Sequence, residues 1–178
     1  MTRIVAGAAR GRRLAVPPGL ATRPTSEKVR AAIFDLLGQY FDGGEVLDLY
    51  AGSGALALEA LSRGASRAIC VEVDRRAAEV IRGNAAALGL SDRLEVRCGP
   101  VAALLPGLPA GHALAFVDPP YAIGPAEALA ALEGHLVPGG VVVAEHDARR
   151  PPAERYGALA LLDRRRYGDT GISIYRRG

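Results

Sequence analysis

Asp118, Pro119, Pro120 and Tyr121 follow directly on the apolar run 113–117. A carboxylate at the mouth of a buried strand, then two prolines and an aromatic ring, is a costly arrangement for a turn alone. The prolines remove two backbone donors and fix the turn, which leaves the Pro119 carbonyl open as an acceptor. Asp118 is a second acceptor, and Tyr121 offers a flat face for stacking. Together these groups suit a planar ligand bearing an NH2, such as the amino edge of a nucleobase. Taken alone, the tetrapeptide also fits a strand-ending turn with a packed tyrosine.

A second segment decides between those readings. Residues 46–54 run from a short apolar strand holding Asp48 into Ala51, Gly52, Ser53 and Gly54, and the apolar residues of 55–61 then recur at helical spacing. Strand, glycine turn and helix in that order form a nucleotide-type binding crevice, where residues without side chains let a ligand lie against the backbone. The next strand, 68–73, carries Glu72 near its end, where a carboxylate can accept bonds from both hydroxyls of a ribose. A carboxylate buried in a strand, as Asp48 is, needs a partner, and the amino group of an amino-acid-like ligand is a natural one. Gly52 to Ala57 also fits the G-x-G-x-x-A pattern of nicotinamide enzymes. Asp48 before the loop and Asp-Pro-Pro-Tyr after the fourth strand favour methyl transfer from S-adenosylmethionine, since hydride transfer requires neither.

The elements that position these residues alternate. Residues 75–88 read as a helix stopped by Gly89, 94–97 as a third strand, 101–105 as a short helix and 114–117 as the fourth strand. Pro125 to Gly134 reads as a helix, Pro138 to Gly140 as a turn, and 141–145 as a fifth strand. Such alternation means parallel pairing with right-handed crossovers. Segments 159–163 and 171–175, joined by a loop at 164–170 with no helix between them, predict a C-terminal antiparallel hairpin. Near the start, 3–16 mixes β-branched residues with glycines and predicts a small β-hairpin arm. Thr25 is expected to cap a following helix whose packed face holds Val29, Ile33, Leu36, Leu37, Tyr40 and Phe41. The expected class is therefore α/β, a Rossmann-like, mostly parallel mixed sheet of seven strands with helices on both faces. The arm would take 1–22 and the main domain 23–178.

With 178 residues the chain can build one substantial core. Apolar runs are strand-sized, and the opening residues contain no apolar stretch of a secretory leader, so a cytoplasmic protein without membrane contact is expected. Cys70 and Cys98 are expected as buried thiols. His112, His135 and His146 have no metal-ligand spacing, and no metal is expected. Formal net charge is +3, but it is segregated. Residues 1–30 hold seven basic side chains against Glu27, and 149–178 hold eight arginines against three acids, which leaves the middle strongly acidic. Basic ends on an acidic body favour a polyanionic partner gripped by the termini over a merely solvated arginine surface.

Beyond the two crevice segments, Arg3 to Gly7 with Arg10 to Leu14, Arg23 to Arg30, Glu59 to Gly64, and Tyr167 to Thr170 resemble the RsmD family of class I S-adenosylmethionine-dependent methyltransferases. That resemblance spans nearly the whole chain. It implies methylation of N2 of one guanine in 16S ribosomal RNA, as naked RNA or in a small-subunit assembly intermediate, with no obligate protein partner. By motif position, Asp48, Tyr50, Ala51, Gly52, Ser53 and Gly54 would hold the methionine part of the cofactor. Glu72 would take the ribose, and Val73, Pro100 and Val101 would flank the adenine. Asp118, Pro119, Pro120 and Tyr121 would form the acceptor site. Arg3, Arg10, Arg12, Arg13, Arg23 and Thr25 would face RNA. The chain departs from the family pattern at Pro100, where an aspartate usually meets the adenine amino group, so that interaction is expected to be weakened or displaced. Alternatives from the chemistry are an adenine-N6 methyltransferase, a methyltransferase of glutamine or small amines, a non-catalytic RNA-binding relic and, more distantly, a nicotinamide-dependent oxidoreductase.

Overall fold

The computed structural model describes residues 2–19, 24–38 and 41–178. Two short strands, β1 (Thr2–Arg3) and β2 (Arg13–Leu14), pair antiparallel, with Thr2 opposite Leu14. Helix α1 (Pro24–Leu37) begins on a proline, whose fixed φ suits the first helical position. Thr25, expected as the cap, therefore falls inside the first turn of the helix. Val29, Ile33 and Phe34 form its buried face, whereas Leu36 is exposed and Phe41 packs from beyond the helix end; Tyr40 lies outside the described residues.

Alternation then proceeds as β3 (Glu45–Leu49), α2 (Ala55–Ser62), β4 (Arg67–Glu72), α3 (Arg75–Leu88) and β5 (Leu94–Cys98). After these come α4 (Val101–Leu104), β6 (His112–Val117), α5 (Ala126–Ala131), β7 (Leu136–Asp147), β8 (Arg155–Tyr156), β9 (Leu159–Tyr167) and β10 (Thr170–Arg177). Asp74 caps α3 by accepting from the Arg76 and Ala77 amides, and Gly89 ends it at φ +69°. The sheet order is β5-β4-β3-β6-β7-β10-β9-β8. Strands β5 to β7 are parallel in that order, and β10 runs antiparallel to both β7 and β9.

Seven of these are the expected strands, and the two-residue β8 adds an eighth at the edge. The arginine run 164–166 is strand, not loop: β9 extends to Tyr167 and only Gly168 and Asp169 turn the hairpin. Pro138 to Gly140 lies within β7 instead of preceding it, where pairing with β6 slips register, and α5 is shorter than expected. Cys70 is buried as expected, but Cys98, at the end of the edge strand β5, is exposed.

Side chains alternate between the two sheet faces. Val46, Phe116 and Ile174 meet α1, α2 and α3 through Phe34, Leu58 and Ile81. Leu47, Leu49 and Val117 belong to the opposite core with Val101 of α4 and Leu129 of α5. Asp48, between Leu47 and Leu49, therefore faces the side of α1 and α2. The order in which strands are added reverses between the parallel strands β3 and β6, and the carboxyl ends of two such strands bound the crevice where α/β sheets take ligands.

The arm is bonded into this body. Its Val5 and Ala6 amides donate to Glu59 (2.8 and 2.9 Å), and Ser62 Oγ donates to the Ala6 carbonyl and accepts from the Ala9 amide. Glu59 also takes Arg63 Nε at 2.7 Å, and the Arg63 guanidinium lies 4.5 Å above the Phe34 ring. Buried Asn84 of α3 accepts from the Ala15 amide and donates to the Ala15 and Ser53 carbonyls, bridging the arm to the glycine turn.

Candidate functional site

The turn after β3 is held in an unusual backbone shape. Tyr50 has φ +65°, the only positive φ at a non-glycine among the described residues, and Gly52 and Gly54 follow at +58° and +76°. A left-handed tyrosine costs on the order of 1–3 kcal/mol and persists only where its surroundings hold it. They do so here: the Ala51 amide donates to the Val71 carbonyl at 3.0 Å, and the Gly54 amide to the Ala51 carbonyl at 2.7 Å. Glu72, ending β4, accepts from the Gly52 amide (2.7 Å) and from the Asp74 amide (2.9 Å), which aims its carboxylate across the loop.

Asp48 is 1% exposed, and its Oδ2 accepts from the Ala57 amide at 3.2 Å. Burial pushes its carboxyl up to about 8; the Ala57 bond opposes that, and the negative charges of Asp118 and Glu72 add to it. Register places Asp48 opposite Phe116 of β6, so Asp118 leaves the sheet at the neighbouring strand end. Burial raises Asp118 to about 6. Pro119 is buried, and the Pro120 carbonyl accepts the Ile123 and Gly124 amides, closing the turn. No described residue donates to the Pro119 carbonyl. Tyr121 is 40% exposed, and its hydroxyl shares a 2.9 Å hydrogen bond with Thr170 Oγ1 at the start of β10.

One cavity of about 1160 Å³ joins these groups. That exceeds the roughly 300–1,000 Å³ of a pocket for one small ligand and leaves room for two side by side. Asp48, Tyr50, Ala51, Gly52, Ser53, Glu72, Val73, Pro100 and Val101 line it together with Asp118, Pro119, Pro120 and Tyr121. Two large apolar side chains stand open in it, Val73 at 65% exposure and Ile123 at 62%, as ligand-binding surface does. Gly54 does not line it; a Cβ there would sit 2.9 Å from Ile81 Cγ2, so this glycine serves the packing of α2 on α3.

Arg3, Arg10, Arg12 and Arg13 are exposed on the arm, outside the cavity, and Arg12 Nη2 donates to the Ala87 carbonyl. Arg23 lies outside the described residues, and Thr25 is in the first turn of α1. Sequence reasoning missed several wall residues: Thr2, Arg30, Glu127, Glu145, and Tyr167 to Thr170 at the hairpin tip. Arg30, which ends the segment from Arg23, and Tyr167 to Thr170 leave a trace in the sequence, each within a motif without an evident task.

A family model described as conserved hypothetical protein 95 matches residues 2–176. YlbH of Bacillus subtilis, provisionally named as an rRNA methyltransferase, is 38% identical over 187 aligned positions covering 98% of this chain and 98% of that protein. The ribosomal RNA small subunit methyltransferase D of Escherichia coli is 40% identical over 123 positions, 68% of this chain and 61% of that protein. A solved structure of yhhF from Escherichia coli, described provisionally as a methyltransferase, superposes with a TM-score of 0.85 at 32% identity, covering 99% of this chain and 97% of that one.

Proposed function

We propose, from the premise that this chain belongs to the family described as conserved hypothetical protein 95, the RsmD family, that it is an S-adenosylmethionine-dependent rRNA methyltransferase acting on N2 of a guanine in 16S ribosomal RNA. The observation that carries this reading is the single cavity whose wall contains both the glycine turn with Glu72 and the acceptor tetrapeptide Asp118 to Tyr121. The residues present fit the cofactor. Glu72 is held at the loop as a ribose acceptor would be, Val73 offers an apolar face, and Asp48 is a buried carboxylate that a ligand ammonium would satisfy. Bound there, S-adenosylmethionine would supply an electrophilic sulfonium methyl.

The chain's own contribution is to the nucleophile. The N2 lone pair of guanine is delocalised into the ring and reacts poorly. Asp118 and the Pro119 carbonyl, both accepting from the amine, would draw the nitrogen toward a pyramidal shape and aim its lone pair. Tyr121 would stack on the base, with Thr170 restraining the ring through its hydroxyl. Asp118, at about 6, is ionised at neutral pH and can accept the proton the amine loses. A base within a duplex cannot enter this cavity, so the target must be looped or flipped out. The exposed arginines of the arm would hold phosphates and set affinity and its salt dependence.

Tritiated methyl transfer to naked 16S RNA, assembled small subunits and duplex DNA, followed by digestion to nucleosides, tests the reading. N2-methylguanosine in one of the RNA substrates is expected. Label in N6-methyladenosine, or in DNA alone, would overturn it.

A further inference from the structure

Asp118 and the Pro119 carbonyl, as acceptors for an amine, do not distinguish one base from another, because guanine, adenine and cytosine all carry an NH2. The bases differ in the atom beside that amine. Guanine places the N1–H donor next to N2, whereas the amine of adenine is flanked by the acceptors N1 and N7 and that of cytosine by the acceptor N3. A residue that meets the neighbouring atom therefore decides which base reacts.

The sheet puts Glu145 there. Val117 of β6 pairs with Ala144 of β7, so one step beyond that pair Asp118 stands at the end of one strand and Glu145 on the next. Alternation carries both side chains to the α1 side of the sheet, Asp118 following Phe116 and Glu145 following Val143 on that face. Both line the cavity of about 1160 Å³, and Glu145 with Pro119 and Tyr121 also bounds a smaller one of about 170 Å³ beside it. The Tyr121 tether gives the direction. Tyr121 follows β6, its hydroxyl bonds to Thr170 of β10, and β7 is the strand between those two. Thr170 lies opposite Asp147, and Ile172, on the same face of β10, lies opposite Glu145. A base stacked on Tyr121 with its amine at Asp118 therefore turns the adjoining part of its edge toward β7.

Resting on the function proposed above, we propose that Glu145 is the specificity-determining residue of the acceptor site, accepting the N1–H of guanine while Asp118 and Pro119 hold N2. A carboxylate accepts and does not donate. Against N1 of adenine or N3 of cytosine it sets lone pair against lone pair, and a buried polar group left unmet is costly. Two carboxylates side by side on adjacent strands are unfavourable for folding alone. They match guanine, whose N1 and N2 donors lie side by side on one edge. The N1–H bond is not broken in the transfer, so Glu145 orients the base and moves no proton.

Single-turnover methyl transfer by the full chain into 16S RNA tests this. The guanosine at which N2-methylation is mapped is either kept or replaced by 2-aminopurine riboside, which retains the amine at C2 but has an acceptor in place of the N1 donor. Wild type is expected to methylate the guanosine RNA faster by about tenfold to a hundredfold, the range of a charge-assisted hydrogen bond. That ratio should fall to near unity in Glu145→Gln, whose amide both donates and accepts, and survive in part in Glu145→Asp, which keeps the carboxylate. A general folding defect slows both RNAs together and leaves the ratio intact, so the ratio isolates recognition of N1–H. Where Glu145→Gln does not fold, the partial loss in Glu145→Asp carries the comparison. Equal wild-type rates on the two RNAs, or an unchanged ratio in the variants, overturn the inference, while N2-methylguanosine in the guanosine RNA leaves the proposed function standing. If wild type forms no N2-methylguanosine in any RNA, the proposed function falls, and this inference with it.

Discussion

Asp118 and Asp48 respond oppositely to pH in what they do for the protein. In the proposed reaction Asp118 can take up the amine proton only when ionised, so turnover is expected to rise as pH passes through about 6 and then level. Asp118→Asn should lower kcat by about 100-fold or more and abolish that rise, with S-adenosylhomocysteine affinity nearly unchanged; a pH–rate profile beside calorimetry measures both. Asp48 titrates near 8 in the fold against an ordinary 3.8, so the folded chain holds its proton more tightly than the unfolded one. Its stabilising effect is complete below about pH 4 and is lost as pH rises through about 8. In thermal melts of the ligand-free protein, Asp48→Asn should therefore gain on wild type as pH goes from 5 to 9; a constant offset would refute the assignment. Thr170→Val removes the partner of the Tyr121 hydroxyl, and kcat should fall by about two- to tenfold, the worth of one hydrogen bond of about 0.5–1.5 kcal/mol. Asp48, Asp118 and Tyr121 are legible in the chain because each adjoins a strand end that its own neighbours announce. Thr170 is not, since it reaches Tyr121 from a strand 49 positions away, and no local pattern encodes that meeting.

Helix α2 shows how an element can be recognised and its purpose still missed. Apolar spacing identifies it, yet its buried face also holds Glu59 and Ser62, with Arg63 beyond its end, and these polar groups dock the arm. Glu59→Ala takes the acceptor from two arm amides and the ion pair from Arg63; breaking a buried pair costs about 3–5 kcal/mol. Amide hydrogen exchange at Val5 and Ala6 should quicken far more than exchange in β3 or β6; equal quickening would mean global loosening and not arm release. The hairpin misleads a sequence reading for a related reason. Three successive arginines at 164–166 look like a solvated loop, but Arg164 reaches Ser173 Oγ and the Pro152 carbonyl, Arg165 pairs with Asp163, and Arg166 meets the Gly168 carbonyl. Backbone pairing with Gly171, Ile172 and Ser173 of β10 makes this charged run a strand, and composition alone cannot show that pairing.

Across the molecule, individual arginines of the two basic ends differ in how much charge they leave available. Arg149 and Arg165 spend theirs on Asp147 and Asp163, whereas Arg10 and Arg13 of the arm have no ion pair among the described residues. Replacing Arg12 and Arg13 with alanine should weaken RNA binding and reduce the slope of log affinity against log salt by about 1 for each phosphate no longer neutralised. Arg165→Ala should change that slope much less, and filter binding over a salt series compares them. The segregated charge is visible in the chain; which arginines are already occupied is not, because ion pairing depends on the folded hairpin. Asn84 makes this division of labour incomplete. One side-chain amide fastens Ala15 and steadies Ser53, so the segment proposed to meet RNA also braces the floor on which the donor would lie. Clipping off residues 2–19 would thus blunt the enzyme twice, and its affinity for nucleoside should drop even in a tube containing no RNA at all.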